Sequence, residues 1–148
     1  MEKRRILIVD DSPMLTDMWR MLFEHSGKFD IGIENNGAAA LNTARAFQPD
    51  LIFLDVCLGR MNGREVASAL RADPMLGTTP VVFLTGLSRE DVEREQSADS
   101  HMVLSKPVEW EDILAVAEQV FQQPAPVVRE ADFDSVAAAG RESQSLAA

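Results

Sequence analysis

Four short apolar segments constrain the fold of this chain most, because none of them has a polar face. They cover residues 6–9, 51–54, 81–84 and 102–104, and a weaker segment covers residues 29–33. A strand with one solvated face alternates apolar and polar residues, whereas a strand covered on both faces is apolar throughout. We therefore expect a sheet of five parallel strands with helices on both faces.

The stretches between these segments have the residue spacing of amphipathic helices. Ser12 and Pro13 form an N-cap and first-turn pair. The helix that they start is predicted to bury one stripe, made of Leu15, Met18, Trp19 and Leu22. Further helices are predicted over residues 37–47, 63–71 and 110–121. Residues 88–97 predict either a solvated helix at the edge of the sheet or a helix able to move, because Val92 is its one strong apolar residue. The alternation indicates a doubly wound α/β fold.

The composition excludes several classes of protein. The net charge of −10 argues against nonspecific nucleic-acid binding, which needs a surplus of Lys and Arg, but it suits a cation cofactor or a basic partner. A single cysteine, Cys57, excludes an internal disulfide and is typical of a reducing compartment. No apolar stretch is long enough for a signal peptide or a membrane span. We therefore expect a cytoplasmic protein with no membrane insertion.

Two regions are predicted along the 148 residues. Residues 1–122 are expected to form one folded domain. Residues 123–148 are rich in Pro, Ala and Ser and predict a flexible tail or linker, with a short docking helix from Asp134 as the alternative. This stretch does not have the features of a DNA-binding output domain.

Polar side chains follow the apolar segments at the points where the strands would end. Asp10 and Asp11 follow the segment at residues 6–9, and Asp55 follows the one at 51–54. Thr85 follows the segment at 81–84, and Lys106 comes shortly after the one at 102–104. In an open parallel sheet the carboxyl ends of the strands share one edge, where ligands bind. Each residue alone has an ordinary explanation, such as a helix cap, a turn or a solvated loop. Together they predict one site with three carboxylates, a hydroxyl and an ammonium group.

This set of groups suits phosphoryl transfer. Three carboxylates offer hard oxygen ligands for Mg²⁺, which also relieves the repulsion between the adjacent Asp10 and Asp11. A carboxylate beside the cation can act as a nucleophile towards phosphorus and form an acyl phosphate. Lys106 can place a positive charge on a phosphoryl oxygen, and Thr85 can donate a hydrogen bond to one.

The motifs "ILIVDDSPMLTDMWRMLF", "PDLIFLDVCLGRMNGREV", "VVFLTG" and "LSKP" resemble the receiver domains of two-component response regulators. The resemblance covers about residues 3–122 and implies a flavodoxin-like sheet of strand order 2-1-3-4-5. It implies that Asp55 is the phosphoacceptor, Thr85 the switch hydroxyl and Lys106 the contact to the phosphoryl group. It also implies a cis Lys106–Pro107 peptide bond.

The same resemblance implies a cation site for Mg²⁺ or Mn²⁺. Asp10 and Asp11 match the acidic pair, with Asp11 the more direct ligand. Asp55 would supply a carboxylate oxygen and Cys57 its backbone carbonyl. The partners implied are a histidine kinase or a histidine phosphotransfer protein and a downstream protein.

Two positions depart from the family's pattern. Gly59 stands where a proline is usual, four residues after the phosphoacceptor, and it is expected to loosen the loop that reaches Gly63. Val103 stands where an aromatic residue usually moves inward on phosphorylation, and the chain contains no Tyr. The departure at Val103 leaves open how phosphorylation would be transmitted to a downstream partner.

Three functions are compatible with this site to different degrees. The leading interpretation is a phosphoacceptor signalling module that catalyses only its own phosphorylation and dephosphorylation, and is otherwise not an enzyme. A phosphorylation-independent interaction module is the alternative, but its expected marker is a missing acid, threonine or lysine. A hydrolase with an aspartyl-phosphate intermediate would carry an acid two residues after the nucleophile, where this chain has Cys57.

Overall fold

The computed structural model of the chain describes residues 3–86 and 102–122. Five parallel strands form its main sheet: β1 (Arg4–Val9), β2 (Phe29–Glu34), β3 (Leu51–Asp55), β4 (Val81–Thr85) and β5 (Met102–Ser105). Their order is β2-β1-β3-β4-β5, and every neighbouring pair is parallel. The predicted flavodoxin-like sheet and its strand order are therefore confirmed.

Four helices and two smaller elements accompany the described strands; the last helix follows β5. The helices are α1 (Pro13–Ser26), α2 (Ala40–Phe47), α3 (Gly63–Ala72) and α4 (Trp110–Gln122). A 3₁₀ turn at Gly37–Ala39 precedes α2, and Cys57–Leu58 pairs with Met61–Asn62 in a short antiparallel hairpin after β3. The helix predicted over residues 88–97 and the tail predicted over 123–148 lie outside the described residues and stay predictions.

Residues 6–9 of β1 and all of β3 are buried, because successive residues of these strands enter two different cores. Leu7 and Val9 of β1 pack with side chains of α2 and α3, whereas Ile6 and Ile8 pack with side chains of α1 and α4. The residues of β3 divide in the same way, and all five are buried. The unbroken apolar runs at residues 6–9 and 51–54 are therefore explained by a helix layer on each face. Across the described ranges no helix is both long and apolar enough to cross a membrane.

The buried stripe of α1 differs from the predicted one. Thr16, Trp19 and Phe23 are buried, whereas Met18 is 39% exposed. The hydroxyl of Thr16 lies 3.2 Å from the carbonyl oxygens of Ser12 and Pro13, and these contacts allow a polar side chain to face the core. The face of the helix that contains Thr16 is therefore turned inwards, and Met18 lies on the exposed side of the helix.

Phe23 joins four elements on one face of the sheet. Its ring meets Phe29 and Trp110 edge-on, at centroid distances of 5.5 and 4.9 Å, and lies tilted against Phe53 at 6.3 Å. Its side chain is fully buried. Edge-to-face contacts at these distances add to the free energy gained by burial.

We expect Phe23→Ala to lower the free energy of unfolding by about 3–5 kcal/mol, because it leaves a cavity where four elements meet. Urea unfolding followed by circular dichroism measures this loss. Met14→Ala is the control on the same helix: Met14 is 84% exposed, and its loss should change the free energy by less than about 0.5 kcal/mol. Equal effects of the two substitutions would contradict this account of the core.

Candidate functional site

Three carboxylates lie together at the carboxyl edge of the sheet. Asp10 and Asp11 follow β1, and Asp55 is the last residue of β3. Val9 and Leu54 are partners in the parallel register, so the two strands end side by side. Carboxylate oxygens of all three residues lie within 4.8 Å of one another. The structure thus brings together the three acids that the sequence predicts to meet.

Lys106, which follows β5, places its ammonium group between two of these acids. Its Nζ lies 2.8 Å from Asp10 Oδ2 and 3.0 Å from Asp55 Oδ2, and it donates a hydrogen bond to each. The side chains of Asp10 and Asp55 are 1% and 7% exposed, whereas that of Lys106 is 26% exposed. One partly exposed cation therefore offsets the charges of two buried anions.

Burial and the neighbouring charges shift the pKa values of Asp55 and Lys106. Burial raises the pKa of Asp55 and the charge of Asp10 adds to this rise, while hydrogen bonds from Cys57 N–H and Lys106 act against it. Burial would lower the pKa of Lys106, but its hydrogen bonds to Asp10 and Asp55 and the attraction of their charges together outweigh burial, so that its pKa is raised. Lys106 is thus held in its charged form.

The backbone after Asp55 fixes the orientation of its side chain. The Cys57 N–H donates to Asp55 Oδ1 at 3.0 Å, which leaves Oδ2 with Lys106. The Gly63 N–H donates to the Val56 carbonyl at 2.7 Å, which ties the start of α3 to the residue that follows β3. A Cβ atom at Gly63 would lie 2.1 Å from the Asp55 carbonyl oxygen, so this close approach requires glycine.

The remaining predicted residues are placed as follows. Thr85 is the last residue of β4, and its side chain lies outside the described part of the structure. The Cys57 side chain is exposed, and its backbone N–H is the group that contacts Asp55. The Lys106–Pro107 peptide bond is cis, as the resemblance implies.

The structure explains why a glycine rather than a proline stands at position 59, and it shows which residues surround Val103. Gly59 has φ of +65°, a left-handed conformation that proline cannot adopt, since its ring holds φ near −65°. A proline at this position is therefore incompatible with the loop as folded.

Val103 is half-buried, packs against the core on the α2 and α3 side, and pairs in register with Phe83.

Sequence reasoning missed a residue that contacts this site from β2. Asn35 follows directly after β2, and its side-chain amide donates to the Asp10 carbonyl at 2.7 Å and to Thr16 Oγ1 at 3.0 Å. The rule that selected the other residues, a polar side chain directly after a strand, also applies to Asn35. The weaker apolar pattern of residues 29–33 hid that signal.

The family model described as "Response regulator receiver domain" matches residues 6–118. The polar-differentiation response regulator DivK of Brucella anthropi is 33% identical over 106 residues, which cover 71% of this chain and 85% of DivK. The DNA-binding response regulator MtrA of Mycobacterium leprae is 33% identical over 139 residues, 89% of this chain and 59% of that protein. The MtrA of Mycolicibacterium smegmatis is 41% identical over 83 residues, 56% of this chain and 35% of that protein. The chain thus matches less than two thirds of the length of each MtrA.

Among solved structures, the chemotaxis protein CheY4 of Vibrio cholerae superposes with a TM-score of 0.72 at 27% sequence identity. The superposition covers 80% of this chain and 99% of CheY4. A signal receiver domain from Colwellia psychrerythraea superposes with a TM-score of 0.71 at 23% identity, which is a likeness of fold.

We expect Lys106→Gln to lower the free energy of unfolding by about 1–3 kcal/mol in EDTA at neutral pH, because it leaves two buried carboxylates without a cation. Lys28→Gln is the matched control. Lys28 pairs with Glu118 at 3.2 Å, but both side chains are exposed, so its loss should cost less than about 1 kcal/mol. Urea unfolding of both variants measures the difference, and a Lys106 variant as stable as the control would contradict the offset described above.

Proposed function

The chain belongs to the response regulator receiver domain family, and we propose that it is a phosphoacceptor signalling module of a two-component phosphorelay. Asp55 accepts a phosphoryl group from a histidine kinase or a histidine phosphotransfer protein, and phosphorylation switches the binding of a downstream protein. One observation carries this proposal: Asp55 is buried and oriented beside Asp10 and Lys106, with Asp11 next to them.

The donor set fits a hard divalent cation. Asp10, Asp11 and Asp55 offer carboxylate oxygens, which Mg²⁺ and Mn²⁺ both accept as ligands. The backbone carbonyl of Cys57 is the further proposed ligand. When bound, the cation supplies positive charge to the phosphoryl oxygens. It also offsets the net negative charge that three carboxylates and one lysine leave at the site.

Asp55 is the proposed nucleophile, and the chemistry requires its ionised form. One of its carboxylate oxygens attacks the phosphorus of a phosphohistidine, the P–N bond breaks, and the electron pair of that bond stays on the imidazole nitrogen. An acyl phosphate on Asp55 results. The contact from the Cys57 N–H holds Oδ1 of this carboxylate, which leaves the other oxygen, Oδ2, beside Lys106.

Lys106 and Thr85 are the proposed partners of the transferred group. The Lys106 ammonium lies within hydrogen-bond distance of Asp55 Oδ2, so it can move to a phosphoryl oxygen with a small displacement. The Thr85 hydroxyl is the proposed second donor. Water attack on the acyl phosphate breaks the bond between Asp55 and phosphorus, releases inorganic phosphate and regenerates the Asp55 carboxylate. In this proposal the chain catalyses only its own phosphorylation and dephosphorylation.

The proposed output is a protein–protein interaction. The net charge of −10 disfavours direct binding to nucleic acid. The two MtrA relatives are named as DNA-binding response regulators, but this chain matches only 35% and 59% of their lengths. The phosphoryl donor and the single Cys57 favour a cytoplasmic site of action.

We expect one added phosphoryl group in the intact mass after incubation with acetyl phosphate and Mg²⁺. Asp55→Asn should remove the added mass, because an amide is not a nucleophile of this kind, and EDTA should remove it because the charge on the incoming phosphoryl oxygens is then not neutralised. Asp50→Asn is the control: this half-buried acid precedes β3 and accepts a hydrogen bond from the Arg5 N–H. Absence of labelling in every condition would favour the phosphorylation-independent interaction module.

We also expect Mg²⁺ to raise the thermal unfolding midpoint of the wild type, because a cation that binds only the folded state stabilises it. Asp11→Asn should abolish most of this rise. Asp17→Asn, which removes an exposed acid from α1, should retain it. A rise of equal size in both variants would show that the cation binds elsewhere.

A further inference from the structure

Asp11 differs from the other two acids in how it is held. Asp10 has its Oδ1 on the Ser12 N–H and its Oδ2 on Lys106, and Asp55 has contacts to both of its oxygens. The Asp11 carboxylate is exposed, and across residues 3–86 and 102–122 no hydrogen bond or ion pair holds it. Its position relative to the other acids therefore depends on the backbone that carries it.

That backbone is anchored by a side chain from another strand. The carbonyl of the Asp10–Asp11 peptide accepts a hydrogen bond from Asn35 Nδ2 at 2.7 Å. A carbonyl oxygen can only accept, so the NH₂ group of the amide must face it. This contact fixes the plane of the peptide bond from which Asp11 extends.

The second proton of the Asn35 amide extends the anchor to α1. Asn35 Nδ2 lies 3.0 Å from Thr16 Oγ1, and this hydroxyl lies 3.2 Å from the carbonyls of Ser12 and Pro13, to either of which it can donate. Thr16 is fully buried. The loop that carries Asp11 is thus held on its β1 side by Asn35 and on its α1 side by Thr16.

We propose that Asn35, supported by Thr16, is a positioning residue that holds Asp11 where its carboxylate meets those of Asp10 and Asp55. This inference rests on the proposed function, because it concerns the cation site of that function. Asn35 does not touch the cation or the phosphoryl group; it acts through the Asp10–Asp11 peptide. Its removal weakens cation binding, because the loop then samples orientations in which Asp11 points away.

The neighbouring asparagine provides a matched control. Asn36 Oδ1 accepts a hydrogen bond from the Ala38 N–H and caps the 3₁₀ turn, so its truncation also removes a side-chain hydrogen bond from the same loop. None of the contacts of its side chain in the described residues reaches the loop of Asp10 to Pro13. A merely structural role for Asn35 predicts the same behaviour for the two truncations.

The test is the affinity for Mn²⁺, measured from the loss of the free-ion electron paramagnetic resonance signal, with Mg²⁺ as competitor. We expect Asn35→Ala to weaken binding by about tenfold, the size of effect found when an outer partner of a metal ligand is removed. Thr16→Val should weaken it as well, and Thr16→Ser, which keeps the hydroxyl, should bind as the wild type does. Asn36→Ala should retain wild-type affinity even though its urea midpoint falls.

Each outcome has one meaning. If the wild type binds Mn²⁺ and Asn35→Ala binds it equally tightly, the positioning role is overturned and the proposed function stands. Equal weakening in Asn35→Ala and Asn36→Ala would also overturn it, since general destabilisation would then be the cause. Absence of Mn²⁺ and Mg²⁺ binding in the wild type would overturn both the cation site of the proposed function and this inference.

Discussion

The repulsion between buried carboxylates at the carboxyl edge of the sheet is the constraint on which the rest of the site depends. Two unit charges about 4 Å apart repel by roughly 4 kcal/mol at an effective dielectric constant of about 20. Asp10 and Asp55 carry such charges with almost no exposure to water, and Lys106 is the cation that contacts both. This lysine follows β5, two strands away from β3 in the sheet, so the offset exists only when β4 and β5 are paired in register.

The apolar strands and the charged edge are two parts of one arrangement. Strands buried on both faces leave polar groups only at their ends, and the parallel register places those ends side by side. The cores on the two faces hold the strands in that register, because a slip of one residue would exchange the side chains that face each core. The precision of the acidic site is therefore supplied by packing around residues such as Ile8 and Phe53, which belong to the core on the α1 and α4 side of the sheet.

The sequence was sufficient to predict the parallel sheet and the convergence of Asp10, Asp11, Asp55 and Lys106. These predictions rest on local patterns, namely apolar segments and the residue that follows each one, whereas the strand order was implied by the resemblance to receiver domains. What the sequence could not show depends on how the folded elements are placed relative to one another. The contact of Asn35 with Asp10, the 2.1 Å approach that excludes a side chain at Gly63, and the inward turn of Thr16 are all of this kind. Gly59 is a local case that still needed the backbone, because only its positive φ shows why proline does not fit.

The three acidic side chains differ in how firmly they are held, and this difference bears on how the site could bind a cation. Asp10 and Asp55 are fixed by backbone N–H groups and by Lys106, whereas Asp11 is fixed only through its peptide backbone. A site with two rigid ligands and one adjustable ligand loses little conformational entropy when a cation binds, because a single exposed side chain has to become ordered. Under the proposed function, Lys106 would gain freedom, because a cation that offsets the charges of Asp10 and Asp55 would release the ammonium group from part of its present role. The lysine would then be available to an incoming phosphoryl oxygen, so cation binding would prepare the lysine as well as the carboxylates for transfer.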